Sequence, residues 1–331
     1  MIMSGYFSPK KLVARISLIG KHKRLTHPDT LEAPLLSRQD IFDLYYRVQD
    51  RFRLRQNPYE VAHRMLGDNR SVYKGYGLDY EESRSYQPGD ELRFMNWRVT
   101  ARTGQLMMKV YREERRPGIF VLLDRRPTMR FGTQVRIKAA QAARVAALVS
   151  FIAQKENTQV GGVILNQDAN WIPEQSGSEA AFRLVNQASK PCPPLNNNNE
   201  TTSLHYILKV MTRVLTRGST VYLLSDFHDL DENSRAALIQ LAAEHQIVAY
   251  HIMDPAELDL PKAGDLNLTE PNNSPSQSTQ TVKVQSENKK LRQHYKQQAQ
   301  HHITAIQKIL TSAGINYHRI MSHIDNIERQ I

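Results

Sequence analysis

Four short apolar runs from residue 119 onward constrain the fold of this chain more than any other feature. They are "IFVLLD" (119–124), "VGGVILN" (160–166), "STVYLLSD" (219–226) and "IVAYHIM" (247–253). None alternates apolar with polar residues, as a strand with one wet face does. Runs this short and this uniformly apolar fit strands of a parallel sheet covered on both faces. The segments between them carry helical spacing. In 203–217, Leu204, Ile207, Leu208, Met211, Val214 and Leu215 recur on one face. Strand, crossover helix, strand is the rhythm of a doubly wound α/β domain with a mostly parallel sheet. "AAQAARVAALVSFIA" (139–153) is too short to span a bilayer and reads as a buried helix. Near the end, Leu291, Tyr295, Ile303, Ile306 and Leu310 line one side of a helix that stops near Gly314, and "INYHRIM" reads as a last strand.

Upstream of residue 119 the pattern changes. Residues 37–54 predict an amphipathic helix capped by Ser37, with Ile41, Tyr45, Val48 and Phe52 on one face. A shorter helix is expected around "YEVAHRML", stopping at Gly67. The expected organisation is an N-terminal helical extension (1–74), a distinct segment (75–118) and the α/β domain (119–331). The middle segment mixes charge, aromatics and the turns Pro88-Gly89 and Thr103-Gly104, with "QLMMKVYREE" as a strand. Within the domain, about 264–290 is rich in Asn, Ser, Gln, Thr and Pro and reads as a flexible insertion.

Composition narrows the function classes. A chain of 331 residues with 40% hydrophobic residues can bury a core. Its one cysteine, Cys192, allows neither an internal disulfide nor a cysteine metal cage, which suits a reducing compartment. With basic residues through the apolar positions of its first segment and no membrane-length apolar run, the chain is expected to be cytoplasmic, with peripheral attachment to the inner membrane as the alternative. The net charge of +11 would attract nucleic acid, anionic lipid or an acidic protein, but the basic residues are spread along the chain rather than clustered. That gives no firm evidence of nucleic-acid binding. His294, His301 and His302 fall on a polar helix without metal-ligand spacing. "TQVGGVILN" lies inside a strand and lacks the Lys-Ser/Thr ending of a phosphate loop, so ATP hydrolysis by this chain is not expected.

Two strands end in aspartate, Asp124 and Asp226, and ligands of open parallel sheets sit beyond such ends. Two carboxylates brought close need a cation between them. Three readings compete. A haloacid dehalogenase phosphatase needs Asp-x-Asp-x-Thr, but "DRRPT" (124–128) has Arg126 at the acid/base position. A von Willebrand factor type A metal site resembles Asp-x-Ser-x-Ser, with a Thr and an Asp from later loops. Asp124, Thr128, Thr202 and Asp226 fit it, and Arg126 replaces a hydroxyl ligand. The site is then degenerate: magnesium is expected to bind weakly if at all, and Arg126, or else Arg125, bridges Asp124 and Asp226. In the third reading each aspartate only caps a helix or pairs locally.

The 75–118 segment carries a longer motif: Arg84, Tyr86, Gly89, Asp90, Arg93, Asn96, Trp97, Ala101 and Arg102, continuing to Lys109 and Glu113. With "MDPAELDLPKAG" (253–264) it resembles the domain of unknown function 58 family over about residues 75–265. Asn96 stands where the family usually has Asp. Taken as structure, Pro88-Gly89 makes a turn, Asp90 and Arg93 pair across it, and Trp97 is an apolar anchor; the segment either packs on the α/β domain without supplying chemistry or uses Arg84, Tyr86, Gly89, Asp90, Arg93, Asn96, Trp97 and Arg102 to dock a partner. The resemblance implies a von Willebrand type A-like domain and a partnership with a MoxR-type AAA+ ATPase, with other von Willebrand type A proteins as further candidate partners. The expected function is a non-enzymatic binding one: an adaptor or co-chaperone for such an ATPase, without a cofactor. A phosphatase and a basic nucleic-acid or anionic-membrane binder remain as alternatives.

Overall fold

The computed structural model describes residues 15–18, 33–51, 79–88, 90–112, 117–194, 201–269 and 281–327. In chain order the elements are β1 (Arg15–Leu18), α1 (Arg38–Arg51), β2 (Asp79–Ser85), α2 (Trp97–Thr103), β3 (Met107–Arg112), β4 (Ile119–Asp124) and α3 (Lys138–Lys155). There follow β5 (Val160–Leu165), β6 (Ala169–Gln175), α4 (Ser178–Ser189), α5 (Leu204–Val214), β7 (Thr220–Ser225), α6 (Glu232–Glu244) and β8 (Gln246–Met253). The last are α7 (Pro255–Leu258), β9 (Asp265–Thr269), β10 (Thr281–Gln285), α8 (Lys289–Ser312) and β11 (Asn316–Met321). The chain forms two compact units, residues 62–116 and residues 1–61 with 117–331.

The larger unit is built on a six-stranded sheet of order β11-β8-β7-β4-β5-β6, parallel except for β6, which runs antiparallel to β5. Every residue of β4, β5 and β7 is buried, as their unbroken apolar runs require. Side chains still alternate. Ile119, Val121 and Leu123 join a core with α3 and α4, while Phe120 and Leu122 join a second core with α5, α6 and α8. Gly162 marks a close approach of α4: a Cβ there would meet the Val121 carbonyl oxygen at 2.5 Å and Leu184 Cδ1 at 2.7 Å.

Helix α3 is buried from Lys138 to Ala153. Helix α1 packs on it, with Leu44 and Val48 buried and the Tyr45 ring edge-on to Phe151 at 5.3 Å. The Ser37 hydroxyl accepts from the Asp40 amide at 3.1 Å, while the Asp40 carboxylate accepts from Ser37 N. Thus α1 belongs to the larger unit instead of forming a separate extension. Phe52, the segment 59–67 and Gly89 lie outside the described residues.

Two segments depart from expectation. The supposed insertion 264–290 contains β9 and β10, which pair antiparallel in a sheet of order β1-β9-β10. "DLNLT" and "TVKVQ" alternate apolar with polar residues, the pattern of a sheet with one dry face, and Leu266 and Val284 are buried beside Leu260 and Tyr295. Val214, expected on the buried face of α5, is 61% exposed.

The smaller unit is a hairpin of β2 and β3, with a bulge between Tyr80 and Glu82, and with α2 in the connection. Gly104 ends α2 at φ 71°, a left-handed position that glycine takes without strain. Among the described residues no helix is long and apolar enough to cross a membrane.

Candidate functional site

Strand β4 has β5 on one side and β7 on the other, so the chain's direction of winding reverses at β4. The crevice beyond the carboxyl ends of β4 and β7 is therefore the natural ligand position. It is filled by the side chain of Arg126. Asp124 is completely buried. Its Oδ1 accepts from Arg126 N and Nε, both at 3.0 Å, and its Oδ2 accepts from Arg126 Nη2 at 2.8 Å and from Ser225 Oγ at 2.6 Å. The far edge of the same guanidinium grips Asp229: Nη2 donates to Oδ1 at 2.8 Å and Nη1 to Oδ2 at 2.5 Å. Asp229 Oδ2 also accepts from Leu204 N, at the start of α5, at 3.0 Å. Burial alone would pull the Arg126 pKa down. The charges of Asp124 and Asp229, and the hydrogen bonds to them, more than reverse that and hold it well above normal. Asp229 is pushed up by burial but pulled down further by Arg126 and the Leu204 amide.

A second internal cation lies alongside. Lys138, with no exposed surface, donates to Asp226 Oδ2 at 2.8 Å and to Glu257 Oε1 at 2.6 Å. Burial opposes its charge, but the two carboxylates raise its pKa overall. Asp226 is the counterpart: burial raises its pKa, and Lys138 and His228 lower it more, with a net fall. For Glu257, burial and the Asp226 charge win over Lys138, and its pKa rises. Glu257 is held in turn by the Asp254 amide, at 2.8 Å, in a reciprocal cap at the start of α7. Buried Asp254 also accepts from Thr133 N at 2.9 Å and Ser322 Oγ at 2.8 Å, tying three segments together. That is the structural content of "MDPAELDLPKAG". Beside Asp226 a small cleft is lined by His228, His251, Glu257, Tyr295 and His302. Burial pushes the His251 imidazole down to about 3, so it is neutral at physiological pH.

The expected bridge between Asp124 and Asp226 is corrected by this geometry. Arg126 does supply the charge that balances Asp124, but the acid across from it is Asp229, and Asp226 takes Lys138. Asp229 sits three residues past Asp226 in "SDFHD", where the turn after β7 carries it over the crevice. Arg125 does not serve either. It donates to the carbonyls of Gln187 at 3.1 Å and Pro191 at 2.7 Å. Thr202 donates its hydroxyl to the Gln167 carbonyl at 2.8 Å, and Thr128 is buried in the 3-10 turn at Pro127–Arg130.

A magnesium ion at the place the metal motif implies would need open carboxylate and hydroxyl oxygens at octahedral distances. Both Asp124 oxygens, the Thr202 hydroxyl and the bonded Asp226 oxygen face N–H, O–H or C=O partners of the protein itself. A guanidinium stands between the acids, so the residues do not fit the ion. The same burial deprives Asp124 of the free oxygen a phosphatase nucleophile needs. Sequence reasoning missed Lys138, Asp229, Ser225 and Glu257. Only Glu257 carried a signal, at the third helical position after Asp254-Pro255.

The signature residues of the smaller unit divide into two sets. Arg84 Nη1 and Nη2 each donate to the Asp90 carboxylate at 2.7 Å, and Asp90 also accepts from Gln87 N at 2.8 Å. The expected Asp90–Arg93 pair is replaced by this bidentate one, because β2 brings the planar Arg84 fork alongside the turn. Arg93 pairs with Glu91 and lies 4.7 Å over the Phe94 ring. Buried Asn96 caps α2 by accepting from Val99 N at 3.3 Å, and donates to Ser83 Oγ at 2.8 Å. A carboxylate could not donate that second bond; it would have to accept from the Ser83 hydroxyl instead. The amide of half-buried Tyr86 donates to the Leu106 carbonyl at 2.8 Å. Trp97 does not pack into this framework: it is 66% exposed, and Arg102 is exposed as well.

The family model described as "Protein of unknown function DUF58" matches residues 82–305. An uncharacterized protein of Mycobacterium tuberculosis strain H37Rv is 28% identical over 204 residues, covering 61% of this chain and 63% of that protein. An uncharacterized protein of Mycobacterium bovis matches to the same extent. The uncharacterized protein YeaD of Bacillus subtilis is 28% identical over 96 residues, 29% of this chain and 22% of that one. The chain thus spans less than two thirds of the length of these curated relatives. Among solved structures, that of an aerotolerance-related membrane protein from Bacteroides fragilis, carrying multiple mutations to serines, gives a TM-score of 0.37 at 15% identity. It covers 65% of this chain and 94% of that one.

Proposed function

We propose, from the premise that this chain belongs to the DUF58 family of proteins of unknown function, that it is a non-enzymatic adaptor or co-chaperone that binds a MoxR-type AAA+ ATPase. One observation carries the non-enzymatic part: the crevice where substrate or metal would sit is occupied by the Arg126 guanidinium, bonded on both sides. A site that satisfies its own charges offers positioned loops rather than chemistry. The strand order, with one antiparallel edge strand and two acid-bearing loops beyond β4 and β7, supports reading the larger unit as von Willebrand type A-like with a degenerate metal site. The choice of ATPase as partner rests on the family resemblance. Cytoplasmic residence, free or at the inner face of a membrane, goes with it.

The test is direct binding of the purified chain to the MoxR-type ATPase of the same genome, by interferometry in ATP, ADP and a non-hydrolysable analogue. A complex in at least one nucleotide state is expected. With a net charge of +11, its on-rate should fall as salt is raised. No complex in any state, together with phosphate-ester turnover that Asp124→Asn abolishes, would replace this reading with the phosphatase one.

A further inference from the structure

The smaller unit spends its buried and bonded residues on displaying others. Asn96 fixes the first turn of α2, and Thr100 Oγ accepts from Met107 N at 3.0 Å, pinning the helix to β3. Met95 and Met108 are buried where they bridge, and the Arg84–Asp90 fork locks the preceding turn. What this framework holds outward is one helical face. Trp97 and Ala101 are one turn apart, as are Arg98 and Arg102, and all four are exposed. A tryptophan ring left 66% in water gives up most of its burial energy, and a rigid support around it means the loss is built in rather than due to fraying.

We propose that the outer face of α2, Trp97 with Arg98 and Arg102, is a docking surface for an acidic protein segment that offers an apolar socket to the indole. Trp and Arg are the side chains that most often carry interface energy, and the pair selects a partner with one apolar pocket rimmed by carboxylates. Charge argues against a second copy of this chain, because two such faces would set arginine against arginine. It argues less strongly against nucleic acid. Among the described residues the face offers only two arginines, and the neighbouring Arg93 is already paired with Glu91, too few cations to track a phosphate backbone. As an identification of the ATPase-binding face this rests on the adaptor reading. The acidic, socketed partner chemistry does not.

The experiment uses the full chain with Trp171→Phe, leaving Trp97 as its single tryptophan emitter. Three probes are titrated: a leucine-containing oligoglutamate peptide, a single-stranded oligonucleotide and vesicles of anionic lipid. The peptide is expected to shift the exposed indole's emission to the blue, with affinity falling tenfold or more in Arg98→Glu/Arg102→Glu. Circular dichroism should show that variant unchanged. No shift with the peptide, or tighter binding of the oligonucleotide or vesicles, overturns the proposal. In parallel, Trp97→Ala is compared with wild type for ATPase binding. Wild-type binding with an equal Trp97→Ala variant refutes α2 as the ATPase face. Absence of wild-type binding refutes the adaptor reading alone, and the peptide titration still decides the face.

Discussion

Replacing Arg126 by methionine removes the guanidinium while keeping much of the side chain's length. Four charge-assisted hydrogen bonds go with it: two to Asp124 and two to Asp229. Asp229 is partly open to water and can rehydrate, so its loss is small. Asp124 cannot. It keeps the residue 126 amide and the Ser225 hydroxyl, but it becomes a charge in the core without a counter-ion. Breaking a buried pair from one side costs about 3–5 kcal/mol. At 1.36 kcal/mol per decade that is roughly two to four decades in the folding constant. Against a typical total of about 5–15 kcal/mol the variant should still fold, with its urea midpoint sharply lowered at pH 7. The partner experiment is Asp124→Asn/Arg126→Met, where no buried charge is left unpaired. It should recover about 2 kcal/mol of the loss. A single-variant loss below about 1 kcal/mol, or a double variant no more stable than the single, would show that the clamp is not what balances Asp124.

Other outcomes can be read from neighbouring groups. Arg126→Ser leaves Asp124 and Asp229 facing an emptied position, and should gain calorimetric magnesium binding on the order of millimolar that the wild type lacks; tight binding by the wild type would refute the fit argument. His251 is held neutral with a pKa of about 3 against 6.5 when unfolded, so the unfolded chain takes up a proton that the folded chain refuses. Stability should therefore fall as pH drops from about 6.5 towards 3, and His251→Phe should flatten that part of a pH series of urea melts. Glu174 is pushed up to about 7 by burial, and its Oε1 is buried without a partner. Its contribution is full below about 4.5 and is lost as pH rises through about 7, so Glu174→Gln should stabilise by about 1–3 kcal/mol at pH 8 and change little at pH 4.

The centre of the sheet was legible because β4, β5 and β7 are buried on both faces, and β4 and β11 lie where "IFVLLD" and "INYHRIM" put them, although β11 is polar and largely exposed. Strand β6 was not, since "ANWIPEQ" is an edge strand carrying proline and a mixed face. In the site, Asp124 and its arginine were legible from spacing alone, because residues 124 and 126 are fixed by one local turn. The partners across the crevice were not. Asp229 and Lys138 lie 103 and 88 residues from the groups they hold, and a lysine opening an alanine-rich helix looks like an exposed helix start until the sheet closes over it. For Trp97 the sequence left packing and partner docking both open, since apolarity alone does not say whether anything covers a side chain.

Metal-dependent loops are ordered when the ion is present and loosened when it is not. Here the two cations are covalent parts of the chain, and each bridges two acids. The acids of the loops after β4 and β7 thus have their counter-charges within the chain. If the protein changes partners, the difference in free energy must come from the partner, for which the nucleotide state of an ATPase is the natural source. This has a consequence open to direct measurement. Excess EDTA should leave the melting temperature of the free chain unchanged, and should weaken an ATPase complex only through the magnesium of the ATPase's own nucleotide. A fall in melting temperature of the isolated chain on chelation, reversed by magnesium, would mean that an ion and not Arg126 holds these carboxylates together.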